Sequence, residues 1–239
     1  MIVDMLAHIG IKKGENYKVE SLLEIMDKTG VEKCMICSQL ETVDNDYIYD
    51  CCKRYPDRVV GFAVINPWDI DGEAEVEKCF RDYGFYGLKM NAIRFGYSAD
   101  RHSILDPYFN LCKAYGKCVV AHGQSDMFSI PDKWGEMART YPTVPVVLYH
   151  MGVPLMYERA CELARDIPNF YLSTCGAYVP VMRMAYEVAG PEKILFSSDA
   201  PFGDMGQEIA KVQYIAGSPA DAEKMLGKNA ANMLGIAYR

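Results

Sequence analysis

Three of the four histidines in this chain stand where short apolar runs end. His8 and His122 follow or close such runs, as does His150, and Asp199 closes another. Imidazole nitrogens and a carboxylate oxygen together suit a divalent ion such as Zn²⁺, and a histidine beside that ion can move protons near neutral pH. A single histidine beside an apolar run is more often a core or rim residue. The candidate site is therefore the joint set.

The apolar runs that precede these residues alternate with segments of helical spacing. Continuous rather than alternating hydrophobicity is typical of parallel strands buried on both faces. The chain contains eight such runs, at 2–6, 33–38, 59–65, 85–90, 118–123, 145–151, 170–176 and 193–199. Eight strand-then-helix units predict a single (β/α)8 TIM-like barrel domain over residues 1–239. An open doubly wound sheet is the alternative, but no Gly-x-Gly-x-x-Gly opens any of the helical segments.

A closed barrel would bring the candidate residues together. Strands one and eight become neighbours, strands five and six are neighbours already, and the functional face of such barrels is where the strands end. We therefore expect His8, His122, His150 and Asp199 to meet at one mouth. The fourth histidine, His102, lies in a polar stretch after strand four, where we expect a structural or solvent-facing role.

Composition excludes several classes of function. The chain has 25 Lys and Arg against 32 Asp and Glu, a net charge of -7, and no basic stripe, so nucleic acid is not an expected partner. No stretch approaches the ~20 apolar residues of a membrane span, and the N-terminus lacks the features of a signal peptide. The nine cysteines are scattered among apolar segments, and we interpret them as reduced, buried thiols. We expect a cytoplasmic protein without a membrane partner.

Several segments resemble one known family. They are MIVDMLAHIG, GLKMNAIRFGYS, YGKCVVAHGQ, PVVLYHMGVP, NFYLSTCG, EKILFSSDAPFGD and EKMLGKNAANMLGI, which run nearly end to end. Together they resemble the amidohydrolase-related branch of the metal-dependent amidohydrolase superfamily, which includes hydrolases and non-oxidative decarboxylases. The resemblance implies that His8, His122 and Asp199 bind a divalent metal, zinc first and manganese as the alternative. It also implies that His150 acts as acid and base beside that metal.

The sequence departs from the family pattern at two places. Members usually begin with Ile-Asp-x-His-x-His, but Leu6 stands at the first histidine position here, and a leucine cannot bind a metal. The Lys-Leu-His-Pro stretch after strand four appears as Lys89-Met90-Asn91-Ala92, without its histidine. Two histidines and one carboxylate can still hold a divalent ion with open positions. Alternatively, the site works without a metal.

These observations lead to one functional expectation with two alternatives. We expect a metal-dependent hydrolase of a small carboxylate, lactone or amide, in which metal-bound water attacks and His150 and Asp199 handle protons. Lys89, Asn91 and Arg94 are the candidates for holding a substrate anion. A non-oxidative decarboxylase of a small aromatic or unsaturated acid uses the same groups, and a degenerate barrel would bind its ligand without metal. By analogy with other barrels, we expect a homo-oligomer.

Overall fold

The computed structural model describes residues 1–238, in which one nine-stranded sheet forms the centre of the protein. Eight of its strands are parallel neighbours, in the order of the chain. These are β1 (Ile2–Lys12), β3 (Val31–Ser38), β4 (Val59–Val64), β5 (Gly87–Met90), β6 (Cys118–His122), β7 (Val146–Tyr149), β8 (Phe170–Ser173) and β9 (Ile194–Leu195). The ninth, β2 (Glu15–Tyr17), pairs antiparallel with the end of β1. All eight predicted strands are present.

Backbone hydrogen bonds join the first parallel strand to the segment that follows the last. The amide of Met5 donates to Phe196 O at 3.0 Å, the amide of Asp199 donates to Leu6 O at 3.0 Å, and the amide of His8 donates to Ala200 O at 2.7 Å. The sheet therefore closes on itself, and the predicted (β/α)8 TIM-like barrel is confirmed.

Helices surround the sheet and connect its strands. They are α1 (Val19–Thr29), α2 (Asn45–Arg54), α3 (Gly72–Arg81), α4 (Ala92–Phe95), α5 (His102–Tyr115), α6 (Pro131–Thr140), α7 (Tyr157–Asp166), α8 (Val179–Ala189), α9 (Met205–Ile215), α10 (Pro219–Glu223) and α11 (Asn229–Leu234). A π-helical stretch, Lys224–Lys228, joins the last two. Within residues 1–238, every helix is too short or too polar to cross a bilayer.

Alternate residues of each strand pack into two different apolar clusters. Val119 and Ala121 of β6 belong to the cluster shared with the helices, whereas Cys118 and Val120 belong to a second cluster. The second cluster combines residues of strands that are not neighbours, such as Phe62 of β4, so it fills the barrel interior. Since side chains alternate with a period of two, His122 continues the inward-facing row.

The structure differs from the sequence-based expectation at four elements. Helices α4 and α9 and strand β2 were not predicted, and α5 begins at His102, inside the polar stretch after strand four. In α5, Pro107 lies inside the helix, where a proline normally signals a break. His102 is thus a helical residue rather than a loop residue, and its Nδ1 lies 2.8 Å from Asp106 Oδ1. It remains on the surface, as expected.

Candidate functional site

A cavity of about 180 Å³ lies at the ends of the parallel strands. Its lining residues are His8, Lys12, Gln39, Leu40, Glu41, Lys89, Asn91, His122, His150, Asp199 and Phe202. At ~30 Å³ per water molecule, this space holds about six waters, or one small ligand. A larger surface depression of 610 Å³ near Met1, Glu32 and Arg58 contains no histidine. The cavity with the histidines is therefore the candidate active site.

The alternation of side chains along each strand explains why these residues face the cavity. Leu88 and Met90 of β5 pack outward against the helices, which turns Lys89 inward. Ala7 and Ile9 of β1 also pack outward, so His8 between them faces the interior. The same alternation that builds the core thus delivers polar residues to the mouth.

His8 and Asp199 face one another across the closure of the barrel. His8 Nε2 lies 3.6 Å from Asp199 Oδ1, and His8 Nδ1 lies 3.1 Å from the backbone oxygen of Ser38. A carbonyl can only accept a hydrogen bond, so Nδ1 carries the proton and Nε2 of the neutral ring presents a lone pair. This arrangement is the one commonly found in metal-binding histidines.

His150 is held in the same way on the opposite side of the site. Its Nδ1–H donates to Cys175 O at 3.0 Å, and its ring centroid lies 5.0 Å from that of His122. The backbone of His150 has φ 63° and that of Asp199 has φ 58°, in the left-handed region that non-glycine residues seldom occupy. Both residues therefore stand on strained turns beyond the ends of their strands, His150 directly after β7 and Asp199 four residues after β9, as is common at functional sites.

Burial keeps the three imidazoles neutral. It lowers the pKa of His8 to about 3, with the Lys89 charge adding to the effect. Burial is also the main reason that the pKa values of His122 and His150 are lowered, although the charge of Asp199 partly opposes the shift at His150. Burial raises the pKa of Asp199. Neutral imidazoles can serve as metal ligands or as proton acceptors at pH 7.

Lys89 is the buried cation of the site. Its side chain is 2% exposed, and its Nζ lies 4.1 Å from the ring centroid of Tyr149, a cation–π contact. Among residues 1–238, no carboxylate lies within salt-bridge distance of this ammonium group. Burial lowers the pKa of Lys89, while the charge of Asp199 opposes that change. The group can therefore receive an anion from the cavity.

Asn91 and Arg94 have different positions from Lys89. Asn91 lines the cavity, but its Oδ1 accepts the backbone amide of Arg94 at 3.0 Å and so caps the short helix α4. Arg94 itself is an exposed residue of α4 and is not among the cavity-lining residues. The structure therefore does not bring Arg94 into the cavity, and its role in binding a substrate anion stays a prediction.

Several lining residues were not found from the sequence. Lys12 lies 3.8 Å from Glu41 Oε1, and its Nζ stands 3.7 Å above the ring of Phe202. Trp134, outside the cavity, donates its indole N–H to the backbone oxygen of His122 at 2.8 Å. Lys12 belongs to the β1–β2 hairpin, and that hairpin was the available signal for it. The other lining residues that the sequence did not reveal, Gln39, Leu40, Glu41 and Phe202, come from loops that carry no periodicity.

The three proposed ligands have the chemical types that bind a single divalent ion, but their side chains are not arranged around one. His8, His122 and Asp199 offer two neutral nitrogens and one carboxylate, and His8 has its second nitrogen secured as metal ligands usually do. Within residues 1–238, however, no group of three His, Cys, Asp or Glu side chains is arranged to hold an ion. Leu6 is buried in the interior cluster and adds no donor. His8, His122 and Asp199 all line the cavity, and His8 Nε2 and Asp199 Oδ1 are 3.6 Å apart.

Comparison with known families decides the membership of the chain. The family model described as Amidohydrolase matches residues 29–236, which covers most of the barrel. The chain belongs to the amidohydrolase family. The family resemblance inferred from the sequence is confirmed, and so is the expectation of an enzyme within this superfamily.

Individual relatives within the superfamily are decarboxylases. The chain is 22% identical to the gamma-resorcylate decarboxylase of Polaromonas sp. (strain JS666 / ATCC BAA-500), over 88% of this chain and 85% of that protein. The crystal structure of 5-carboxyvanillate decarboxylase from Sphingomonas paucimobilis superposes with a TM-score of 0.80 at 16% identity, covering 99% of both chains. That of dihydroxybenzoic acid decarboxylase from Polaromonas sp. JS666, with bound manganese and the inhibitor 2-nitroresorcinol, has a TM-score of 0.76 at 16% identity, covering 98% and 96%.

Proposed function

We propose that this protein is a divalent-metal-dependent decarboxylase of a small aromatic acid. The observation that carries the proposal is the placement of His150 and the unpaired ammonium of Lys89 in one small cavity. The named relatives support decarboxylation rather than the hydrolysis that we expected first. The dihydroxybenzoic acid decarboxylase of Polaromonas sp. JS666 has bound manganese and the inhibitor 2-nitroresorcinol, which supports a divalent metal and a small-molecule substrate here but gives zinc no support.

Lys89 and the proposed metal ligands would bind and orient the acid. The ammonium of Lys89 pairs with an anionic group of the substrate, and exclusion of water strengthens this attraction. His8, His122 and Asp199 are the residues that would hold the metal. When bound, such an ion acts as a Lewis acid toward an oxygen of the substrate.

His150 would supply the proton that replaces the carboxylate. When the bond between the ring carbon and the carboxylate carbon breaks, CO₂ leaves and the electron pair stays on the ring carbon. Nε2 of the neutral His150 ring first takes up a proton from solvent, and the imidazolium so formed delivers that proton to the ring carbon, which returns the imidazole to its neutral form. The Cys175 oxygen accepts Nδ1–H, and the charge of Asp199 partly offsets the burial that lowers the pKa of His150, so both favour the transient imidazolium.

Three further features belong to the proposal and follow from the sequence. Residues 1–239 would form one catalytic domain, since the family model already covers 29–236. The protein would act in the cytoplasm, as its reduced cysteines suggest. It would also be a homo-oligomer, by analogy with other barrels.

The test is a direct assay for CO₂ release. Protein loaded with Mn²⁺ is incubated with 2,6-dihydroxybenzoate and with 5-carboxyvanillate, and in parallel with ester, lactone and amide substrates. We expect release of CO₂ and formation of the corresponding phenol with one of the acids, and far slower release with the His150→Asn variant. Hydrolysis of an ester, lactone or amide without any decarboxylation would contradict the proposal.

A further inference from the structure

The peptide group between Cys175 and Gly176 is hydrogen-bonded on both sides. Its oxygen accepts Nδ1–H of His150 at 3.0 Å, and its N–H donates to Oε1 of Glu208 at 3.3 Å. A single planar peptide unit thus links a carboxylate on helix α9 to the imidazole in the cavity. Neither Glu208 nor Gly176 lines the cavity.

Glu208 is an unusual residue for its position. Its side chain is only 8% exposed, although carboxylates are rarely buried without a specific partner. Oε1 accepts from Lys211 Nζ at 2.6 Å, and the same ammonium group donates to Ala177 O at 2.9 Å. Within residues 1–238, Oε2 is buried and has no hydrogen-bond partner. Glu208 and Lys211 therefore hold the turn at residues 176–177 through hydrogen bonds to its backbone. This arrangement leaves Oε2 of Glu208 buried and without a partner, which is unfavourable.

The ring of His150 packs directly on this turn. Gly176 has φ +67°, and a Cβ added there would lie 3.0 Å from Nδ1 of His150. The turn thus needs a residue without a side chain, so that the imidazole can approach the backbone closely. A small movement of the turn would move the imidazole as well.

We propose that Glu208 is a positioning residue for His150 that acts through the peptide group between Cys175 and Gly176. A carboxylate on the N–H side polarises the amide, which makes the oxygen on the other side a stronger acceptor. That oxygen then holds the proton on Nδ1 and leaves Nε2 free toward the cavity, as carboxylates do for catalytic histidines through direct contact. The effect on catalysis rests on the proposed function, whereas the effect on the imidazole does not.

The tautomer of His150 is the direct readout. Protein with ¹⁵N-labelled histidine is studied by long-range ¹H–¹⁵N NMR at pH 8 without substrate, and the His150 signals are assigned by their loss in His150→Asn. We expect the wild-type ring to be protonated on Nδ1. We expect Glu208→Gln to shift signal toward the Nε2–H form and Glu208→Asp to retain more of the Nδ1–H form. Glu187→Gln, which removes an exposed carboxylate on the neighbouring helix α8, should change nothing.

Two results would overturn the inference. One is a wild-type ring protonated on Nε2, which can be seen even if every Glu208 variant fails to fold. The other is an unchanged tautomer in folded Glu208→Gln. If 2,6-dihydroxybenzoate is a substrate, kcat of Glu208→Gln should fall by about tenfold with little change in KM. A tautomer shift in a protein without decarboxylase activity would support this inference and count only against the proposed function.

Discussion

His8 Nε2 lies 3.6 Å from Asp199 Oδ1, which joins the first strand of the barrel to the turn after its last strand. The contact depends on barrel closure, because the backbone of each residue is hydrogen-bonded across the same seam, through His8 N to Ala200 O and Asp199 N to Leu6 O. The two side chains can therefore share one ion or one proton although they are distant in the chain.

Removing either member of this pair should weaken metal binding. We expect His8→Gln and Asp199→Asn to lose at least about tenfold in Mn²⁺ affinity, since each removes one of three proposed ligands. Metal content after dialysis, measured by mass spectrometry, tests this, with the surface variant His102→Gln as the control. Full metal content in both variants would favour the alternative of a site that works without metal, for which Leu6 is the sequence-based argument.

Replacing His150 should stop proton transfer and leave the metal in place. We expect His150→Asn to reduce kcat for decarboxylation by about 10²- to 10⁴-fold, the usual contribution of a general acid. Asparagine suits the position because it tolerates the positive φ found there. Metal content and circular dichroism should match the wild type. A variant with nearly full activity would assign the proton to another group.

Replacing Lys89 should mainly affect substrate affinity. We expect Lys89→Met, which keeps the length and loses the charge, to raise KM by about tenfold or more, since a hydrogen bond to a charged group is worth ~1.5 to 3 kcal/mol. The control is Arg94→Met, because Arg94 is exposed and does not line the cavity. Equal effects of the two substitutions on KM would contradict the role of Lys89.

The buried histidines should make stability depend on pH. The pKa of His8 is about 3 in the folded protein and 6.5 in the unfolded chain, so the unfolded state binds more protons between these values. Stability from this group is complete above pH 6.5 and is lost as the pH falls toward 3, by ~1.4 kcal/mol per pH unit. Asp4 opposes the trend, since burial raises its pKa to about 7.

Urea unfolding of chelator-treated protein measures this dependence. Between pH 6 and pH 4, the free energy of unfolding of His8→Gln should change with pH less steeply than that of the wild type. The two slopes should differ by ~1.4 kcal/mol per pH unit, which corresponds to one proton. Asp4 contributes equally to both proteins, so the difference isolates His8. Parallel slopes would mean that His8 is protonated in the folded protein.

The sequence alone determined the barrel and most of the site. Eight continuous apolar runs predicted the strands, and the rule that chemistry gathers at strand ends brought His8, His122, His150 and Asp199 to one mouth. The short helix α4 was not predicted, and neither was the exposure of Arg94 on it. Helix α4 has only four residues before Gly96 ends it in the left-handed conformation, and four residues are too few to show a helical period in the sequence.

The tertiary structure decided what surrounds these groups. Periodicity reports which side of a strand is buried, but it does not report which distant backbone atom a ring nitrogen meets. The bond from His8 to Ser38 O joins the neighbouring strands β1 and β3, and the bond from His150 to Cys175 O joins the turns that follow β7 and β8, so both depend on how the strands pair. The same is true of Glu208, whose burial depends on how α9 packs beside the turn at Gly176. Local sequence therefore placed the chemical groups, while long-range packing set their protonation and orientation.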